Sequence, residues 1–197
     1  MPPQRQRRGG PPQVEGTGKV DVRVGLCGWT VSQASYVRRF PVVEVQHTFY
    51  EPPADAVLTR WRTQVPAEFE FTIKAWQIVT HESNSPTYRR LKQPLPDSAH
   101  GQVGVFRTTP EVLAGWERHP QDLVHVVDPM QTETVTPERT YYRLHGTSGS
   151  RHVHTDDELR RLRDLVDGRP SPYVMFNNLP RVGDAERFLA VLSGEGA

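Results

Sequence analysis

Phe40-Pro41-Val42-Val43-Glu44-Val45-Gln46-His47-Thr48-Phe49-Tyr50 is followed by Phe69-Glu70-Phe71-Thr72-Ile73-Lys74-Ala75-Trp76 and then Thr80-His81. Both runs are short, rich in β-branched and aromatic residues, and end in polar side chains. Between them, after the Pro52-Pro53 breaker, Ala54, Val57, Leu58, Trp61 and Val65 recur at helical spacing. Strand, helix, strand with polar residues at the strand ends is the pattern of a parallel α/β barrel, whose ligands meet the C-terminal ends of the strands.

Outward from this stretch the same grammar repeats. Val22, Val24 and Leu26 alternate with Arg23, Gly25 and Cys27, predicting a first strand. In the third strand Phe69, Phe71 and Ile73 fall on one side and Glu70, Thr72 and Lys74 on the other, so Lys74 is expected to point inward near the rim. Residues 82–108 are irregular. Thr109-Pro110-Glu111 opens a helix carrying Val112, Leu113 and Trp116. Leu123–Val127 reads as a strand ending at Asp128-Pro129, and Tyr141–His145 as another ending at Gly146. Thr155-Asp156-Asp157-Glu158 is a capping box before a helix with Leu159, Leu162, Leu165 and Val166 on its buried face. Tyr173–Phe176 is the last strand, ending in Asn177-Asn178, and Asp184–Leu192 the last helix.

The chain resembles the YecE-like family, the domain-of-unknown-function seventy-two family. The resemblance rests on Gly25-Leu26-Cys27-Gly28-Trp29, Val43 to Tyr50, Phe71-Thr72-Ile73-Lys74-Ala75, Thr80-His81, Tyr142-Arg143-Leu144-His145-Gly146 and Phe176-Asn177-Asn178, in family order. It implies a TIM-barrel-like fold and supplies no reaction. Family members generally carry two more strands before Leu123–Val127, one ending in a Gln-Leu-Pro-Pro type motif and one in a Glu-x-Arg type motif. Here Trp116-Glu117-Arg118-His119-Pro120 runs across that place without either motif. The resemblance therefore implies an internal deletion and an incomplete barrel of about six strands. A closed (β/α)8 barrel takes roughly 250 residues, against 197 here.

Composition bounds the function. A formal net charge of +1 argues against a strongly basic nucleic-acid binder. A single cysteine excludes an intramolecular disulfide framework. No apolar run reaches the ~20 residues of a membrane span, and the N-terminus lacks the apolar core of a signal peptide. With a mean hydropathy of −0.61, the expectation is a soluble cytoplasmic protein. Residues 1–19, rich in Pro, Gln, Arg and Gly, read as a disordered tail before a single domain over 20–197. An RNA contact through Arg5, Arg7 and Arg8 is the lesser reading.

Several residues are placed to carry chemistry. Glu44 sits in an apolar strand, so its carboxylate needs a partner. Lys74 on the neighbouring strand is the simplest one, as a general acid/base pair or as a buried structural ion pair. Arg143 and His145 share one strand face and can hold an anion at the rim; the other reading is an Arg143 that bridges Glu44 or Asp128. His81, Asp128 and His145, each at a strand end, join Glu44 as a possible oxygen–nitrogen metal set. No local motif supports a metal, and they are read instead as ligand-contacting or hydrogen-bonding groups. Asn177 or Asn178 faces the mouth. Trp29 and Tyr50 are aromatic rim residues, for ligand stacking or for packing. Cys27 has no partner that marks it as a nucleophile, and no nucleotide-binding or serine-elbow motif indicates a cofactor.

Two functions follow as expectations: action on, or binding of, a small anionic or sugar-like ligand by Glu44, Lys74, Arg143 and His145, or a catalytically degenerate binding module. The open barrel adds a third expectation, self-association through exposed strand edges.

Overall fold

The computed structural model describes residues 21–99, 101–103 and 124–195. Six strands lie among them: β1 (Arg23–Cys27), β2 (Val42–Val45), β3 (Glu70–Ile73), β4 (Val126–Val127), β5 (Tyr141–Leu144) and β6 (Tyr173–Phe176). The helices are α1 (Gln33–Tyr36), α2 (Asp55–Thr63), α3 (Gln77–Thr80), α4 (Asp156–Val166) and α5 (Arg181–Ser193), with short 3-10 turns at His47–Phe49, Pro86–Arg90 and Asp97–Ala99.

The strands form one sheet in the order β3-β2-β1-β6-β5-β4, with every pairing parallel. First and last strands are therefore neighbours at its centre, with Arg23 opposite Tyr173 and Leu26 opposite Phe176. This is the strand order of a barrel opened between β3 and β4, which are the edges among the described residues.

The sheet is curled. β3 and β5 stand four places apart, about 19 Å in a flat sheet, yet Thr72 Oγ1 and Tyr141 Oη lie 2.8 Å from each other. Glu70 on β3 likewise accepts from Tyr173 on β6 and from Arg23 on β1 at 2.6 Å. Side chains cross the concave face, so the six strands make a half-barrel, an incomplete TIM-barrel-like fold.

Alternation along each strand divides the sheet into two unlike faces. The convex face carries Val24, Leu26, Val43, Val45, Tyr142, Leu144, Val174 and Phe176. These pack on Tyr36 of α1, Leu159, Leu162 and Val166 of α4, and Ala185, Phe188 and Val191 of α5. The concave face has a small apolar floor of Cys27, Val42 and Met175 under Tyr141 and Tyr173. Gly25 sits on that floor because nothing larger fits. A Cβ there would lie 2.3 Å from the Val42 carbonyl oxygen and 2.9 Å from Met175 Cε.

Local signals in the sequence account for most of the elements. Thr155 and Glu158 form the capping box of α4, each side chain bonded to the other's backbone N–H. Buried Tyr36 ties α1 to the sheet: its hydroxyl accepts from Leu26 N and donates to the Val42 carbonyl, both at 2.9 Å. The apolar periodicity before β3 does give α2, but that helix buries no residue; Trp61 and Val65 only lean on the core and Leu58 is exposed. The last helix starts at Arg181, three residues earlier than its pattern indicates. The expected helix at Thr109–Trp116, the place of the missing strands, Leu123, and the tail at 1–19 all lie outside the described residues. Among the described residues no helix is long and apolar enough to cross a membrane.

Candidate functional site

Side chains of β5 and of the residue just after β2 converge on Glu44 of β2. It is 5% exposed, and three side chains donate to it. Arg143 Nε lies 3.0 Å from Oε1, Tyr141 Oη 2.8 Å from Oε2, and Gln46 Nε2 also reaches Oε1. Gln46 in turn accepts from Arg143 Nη2 at 3.2 Å, which fixes the orientation of its amide. Because Tyr141 spends its one proton on the carboxylate, Thr72 is the donor in the Thr72–Tyr141 bond. Burial, and next the negative charge of Glu44, raise the Tyr141 pKa, so the phenol stays a donor.

This geometry corrects one expectation. The ion-pair partner of Glu44 is Arg143, not Lys74. Strand neighbours suggested the lysine, but the curl of the sheet brings β5 over β2, and the arginine comes across the concave face. Lys74 does point to that face, with Nζ 3.9 Å from the centroid of the Phe49 ring. Among the described residues no carboxylate lies within ion-pair distance of it. Loss of solvation, followed by the Arg143 charge, lowers its pKa; Glu44 opposes this only in part.

Arg143 also donates from Nη1 to His145 Nε2 at 2.8 Å. A guanidinium only donates, so Nε2 carries the lone pair and the proton of the neutral ring is on Nδ1, 3.9 Å from Asp128. Burial and the adjacent Arg143 lower the His145 pKa, with Asp128 acting against them. The Asp128 carboxylate accepts from His145 N at 2.9 Å, Met130 N at 3.1 Å and Gln131 Nε2 at 3.1 Å. It shapes the turn after β4 more than it faces the mouth.

The remaining residues divide. His81 stacks edge-on against Phe49, centroids 5.1 Å apart, on the ring that Lys74 covers, so it belongs to the rim. Tyr50 adjoins Phe49, but its hydroxyl accepts from Arg90 Nη1 at 2.8 Å. Asn177 continues the concave alternation of Tyr173 and Met175, and its N–H donates to the Leu144 carbonyl. Asn178 turns away and is buried, donating to the His152 carbonyl and to Asp184. Trp29 is not at the mouth: the left-handed Gly28 (φ +89°) turns the chain after β1, and the indole packs with Tyr36, Phe69 and Phe71. Burial pushes the Cys27 thiol up to about 12, with Glu44 adding to the effect, so it is no nucleophile at neutral pH. Among the described residues no group of three or more His, Cys, Asp and Glu side chains is arranged to hold a metal ion.

The structure adds residues that the strand-end reading passed over. Tyr141, Gln46 and Thr72 complete the cage around Glu44; Tyr141 was within reach, since it shares the period of two with Arg143 and His145. A second polar cluster lies beyond the end of β6. Buried His154 bonds to buried Asp184 at 2.9 Å, and His152 bonds to Glu158 at 2.9 Å. The only local signal for it is a His-x-His segment directly before the capping box.

Residues 23–115 match the family model described as protein of unknown function DUF72. No curated protein matches the sequence. Two crystal structures of a DUF72 family protein from Enterococcus faecalis V583 share the fold. One has a TM-score of 0.60 at 17% identity, covering 88% of this chain and 97% of that one. The other has a TM-score of 0.53 at 15% identity, covering 89% and 95%. Over residues 23–115 the chain is similar to the DUF72 family, the same family as the YecE-like proteins.

Proposed function

We propose that the protein binds a small anionic ligand, such as a carboxylate or phosphate, at the C-terminal ends of the half-barrel strands. One observation carries this reading: Lys74 and Arg143 face the same carboxylate, and Glu44 neutralises only Arg143. Lys74 is left half-buried beside a second cation, and an anion entering the mouth meets both. His145, His81, Tyr50 and Asn177 would line the approach. A sugar bearing an acidic group fits the same chemistry. The test is a thermal melt against inorganic phosphate, malonate and neutral glucose. A ligand that binds only the folded chain raises the melting temperature with its concentration. The anions should do so, glucose should not, and Lys74→Gln should remove the response. An equal response to glucose, or none to any anion, defeats the reading.

A catalytic version rests on the lowered pKa of Lys74, which eases the loss of its proton. Glu44 contributes less to it than its position suggests, because three donors already occupy its oxygens. That saturation favours a binding module over an acid/base enzyme built on Glu44. A buried free thiol, Cys27, is compatible with a reducing compartment such as the cytoplasm.

A further inference from the structure

We infer that Ser148, His152 and Glu158 form an acyl-transfer relay, in which Ser148 attacks the carbonyl carbon of a small ester. The relay shares no residue with the anion site described above and does not rest on it.

Two hydrogen bonds link the three side chains. Ser148 Oγ is 2.9 Å from His152 Nδ1, and His152 Nε2 is 2.9 Å from Glu158 Oε2 and 3.1 Å from Oε1. A carboxylate only accepts, so Nε2 carries the ring proton and Nδ1 turns its lone pair to the serine hydroxyl. A hydroxyl bonded to a base that a third group orients is the arrangement that activates a serine. Loss of solvation works against the ionised form of Glu158, but the Thr155 N–H and His152 hold its carboxyl below the usual range.

The local fold needs neither the serine nor the histidine, because the capping box of α4 closes between Thr155 and Glu158 alone. His152 is nonetheless held in place. Gly146 (φ +89°) makes room for it, since a Cβ there would lie 2.3 Å from His152 Cβ. The His152 carbonyl accepts from buried Asn178 at 2.8 Å. Its ring stands edge-on to His154, centroids 4.9 Å apart, and Asp184 anchors that second ring. Ser148 is exposed in the turn after β5, at the strand ends where barrel chemistry is carried out. Among the described residues nothing bonds the N–H groups of Ser150 and Arg151, which leaves donors in this turn for an oxyanion. Leu179 donates its N–H to the Ser150 carbonyl at 2.6 Å and is 64% exposed, and Val153 is 58% exposed. An open turn with these apolar neighbours suits a short acyl group.

The step balances without an oxidant or reductant. Ser148 Oγ forms a bond to the carbonyl carbon while its proton passes to His152 Nδ1 and the C=O π electrons move to oxygen. The C–O bond to the leaving alcohol then breaks, the alcohol takes the proton from Nδ1, and the acyl group stays on Oγ. Water repeats the sequence on the acyl-serine and releases a carboxylic acid and free Ser148.

The experiment incubates the full chain with an alkyl fluorophosphonate, which traps an activated serine, and maps the adduct by peptide mass spectrometry. Ser150 is the internal control, exposed in the same turn and without a histidine partner among the described residues. Ser148 should be labelled about a hundredfold faster than Ser150, the lower end of general-base assistance, and His152→Asn should abolish the difference. Glu158→Gln keeps the capping box, which accepts glutamine, and removes the charge behind the ring. It should slow labelling several-fold with the melting temperature unchanged, which a purely structural role for Glu158 would not do. Ser148→Ala, a change at an exposed position, should lose most hydrolysis of p-nitrophenyl acetate, whether or not His152→Asn folds. Labelling of Ser148 no faster than Ser150, labelling that survives in folded His152→Asn, or ester hydrolysis undiminished in Ser148→Ala overturns the inference.

Discussion

At the residue scale the decisive side chain is Glu44. Removing one member of a buried ion pair strands the other, which costs about 3–5 kcal/mol, a large share of the ~5–15 kcal/mol that holds a domain folded. Glu44→Gln leaves Arg143 without its carboxylate, so we expect a loss of that size in denaturant titration; a change below about 1 kcal/mol would mean that Gln46 and His145 satisfy the guanidinium unaided. Lys74 has the opposite sign. Its pKa is lower folded than unfolded. Between the two values the unfolded chain holds a proton that the folded chain sheds, so stability rises with pH across that window, and below it the full penalty applies. Lys74→Met should therefore raise the melting temperature at pH 7, with the gain shrinking toward pH 10.5. Melts across this range check it; a gain that grows with pH contradicts the assignment.

Legibility in the sequence also divides by residue. Glu44, Arg143, Lys74 and His145 stand out because polar groups at the ends of apolar strands need partners. Which of them pair does not, because the partner of Glu44 comes from a strand 99 positions away in sequence and is chosen by curvature. Trp29 misled because alternation fails where a left-handed glycine turns the chain. The His154–Asp184 bond joins a loop to the first turn of α5, and no periodicity spans that distance.

At the scale of elements, β1 is legible from alternation, β2, β3, β5 and β6 from β-branched and aromatic runs, and α4 from its capping box. The burial of α2 is not, since an apolar stripe shows that a helix can pack but not how much of it is covered. β1 depends on Gly25. An alanine methyl would meet the β2 backbone at 2.3 Å, and backbone yields little in a parallel sheet held on both sides. Gly25→Ala should cost about 3 kcal/mol, at the upper end of typical overpacking. Urea unfolding measures it, and a near-neutral result would show that β1 and β2 can separate locally.

At the scale of the whole molecule the open barrel leaves two strand edges among the described residues. Ile73 on β3 is 59% exposed and Val126 on β4 47% exposed. Apolar edge strands invite pairing with another copy, and a charge on the edge is the usual safeguard. We expect the chain to self-associate, and Ile73→Lys with Val126→Lys to shift it toward monomer in sedimentation velocity. A native chain that already sediments as a monomer at high concentration would show that the edges are covered.

The pairing of β1 with β6 carries a consequence for biosynthesis. The centre of the sheet joins residues near the start of the chain to residues near the end of it. Translation at ~5–20 residues per second separates the emergence of the two strands by roughly 7–30 seconds. Throughout that interval β1 and β2 can pair with each other, but the other side of β1 has no native neighbour. The nascent chain therefore leaves that side of β1 exposed to solvent until β6 has been made. A pause in translation between β5 and β6 would prolong that exposure, and a holding chaperone would find its binding site there.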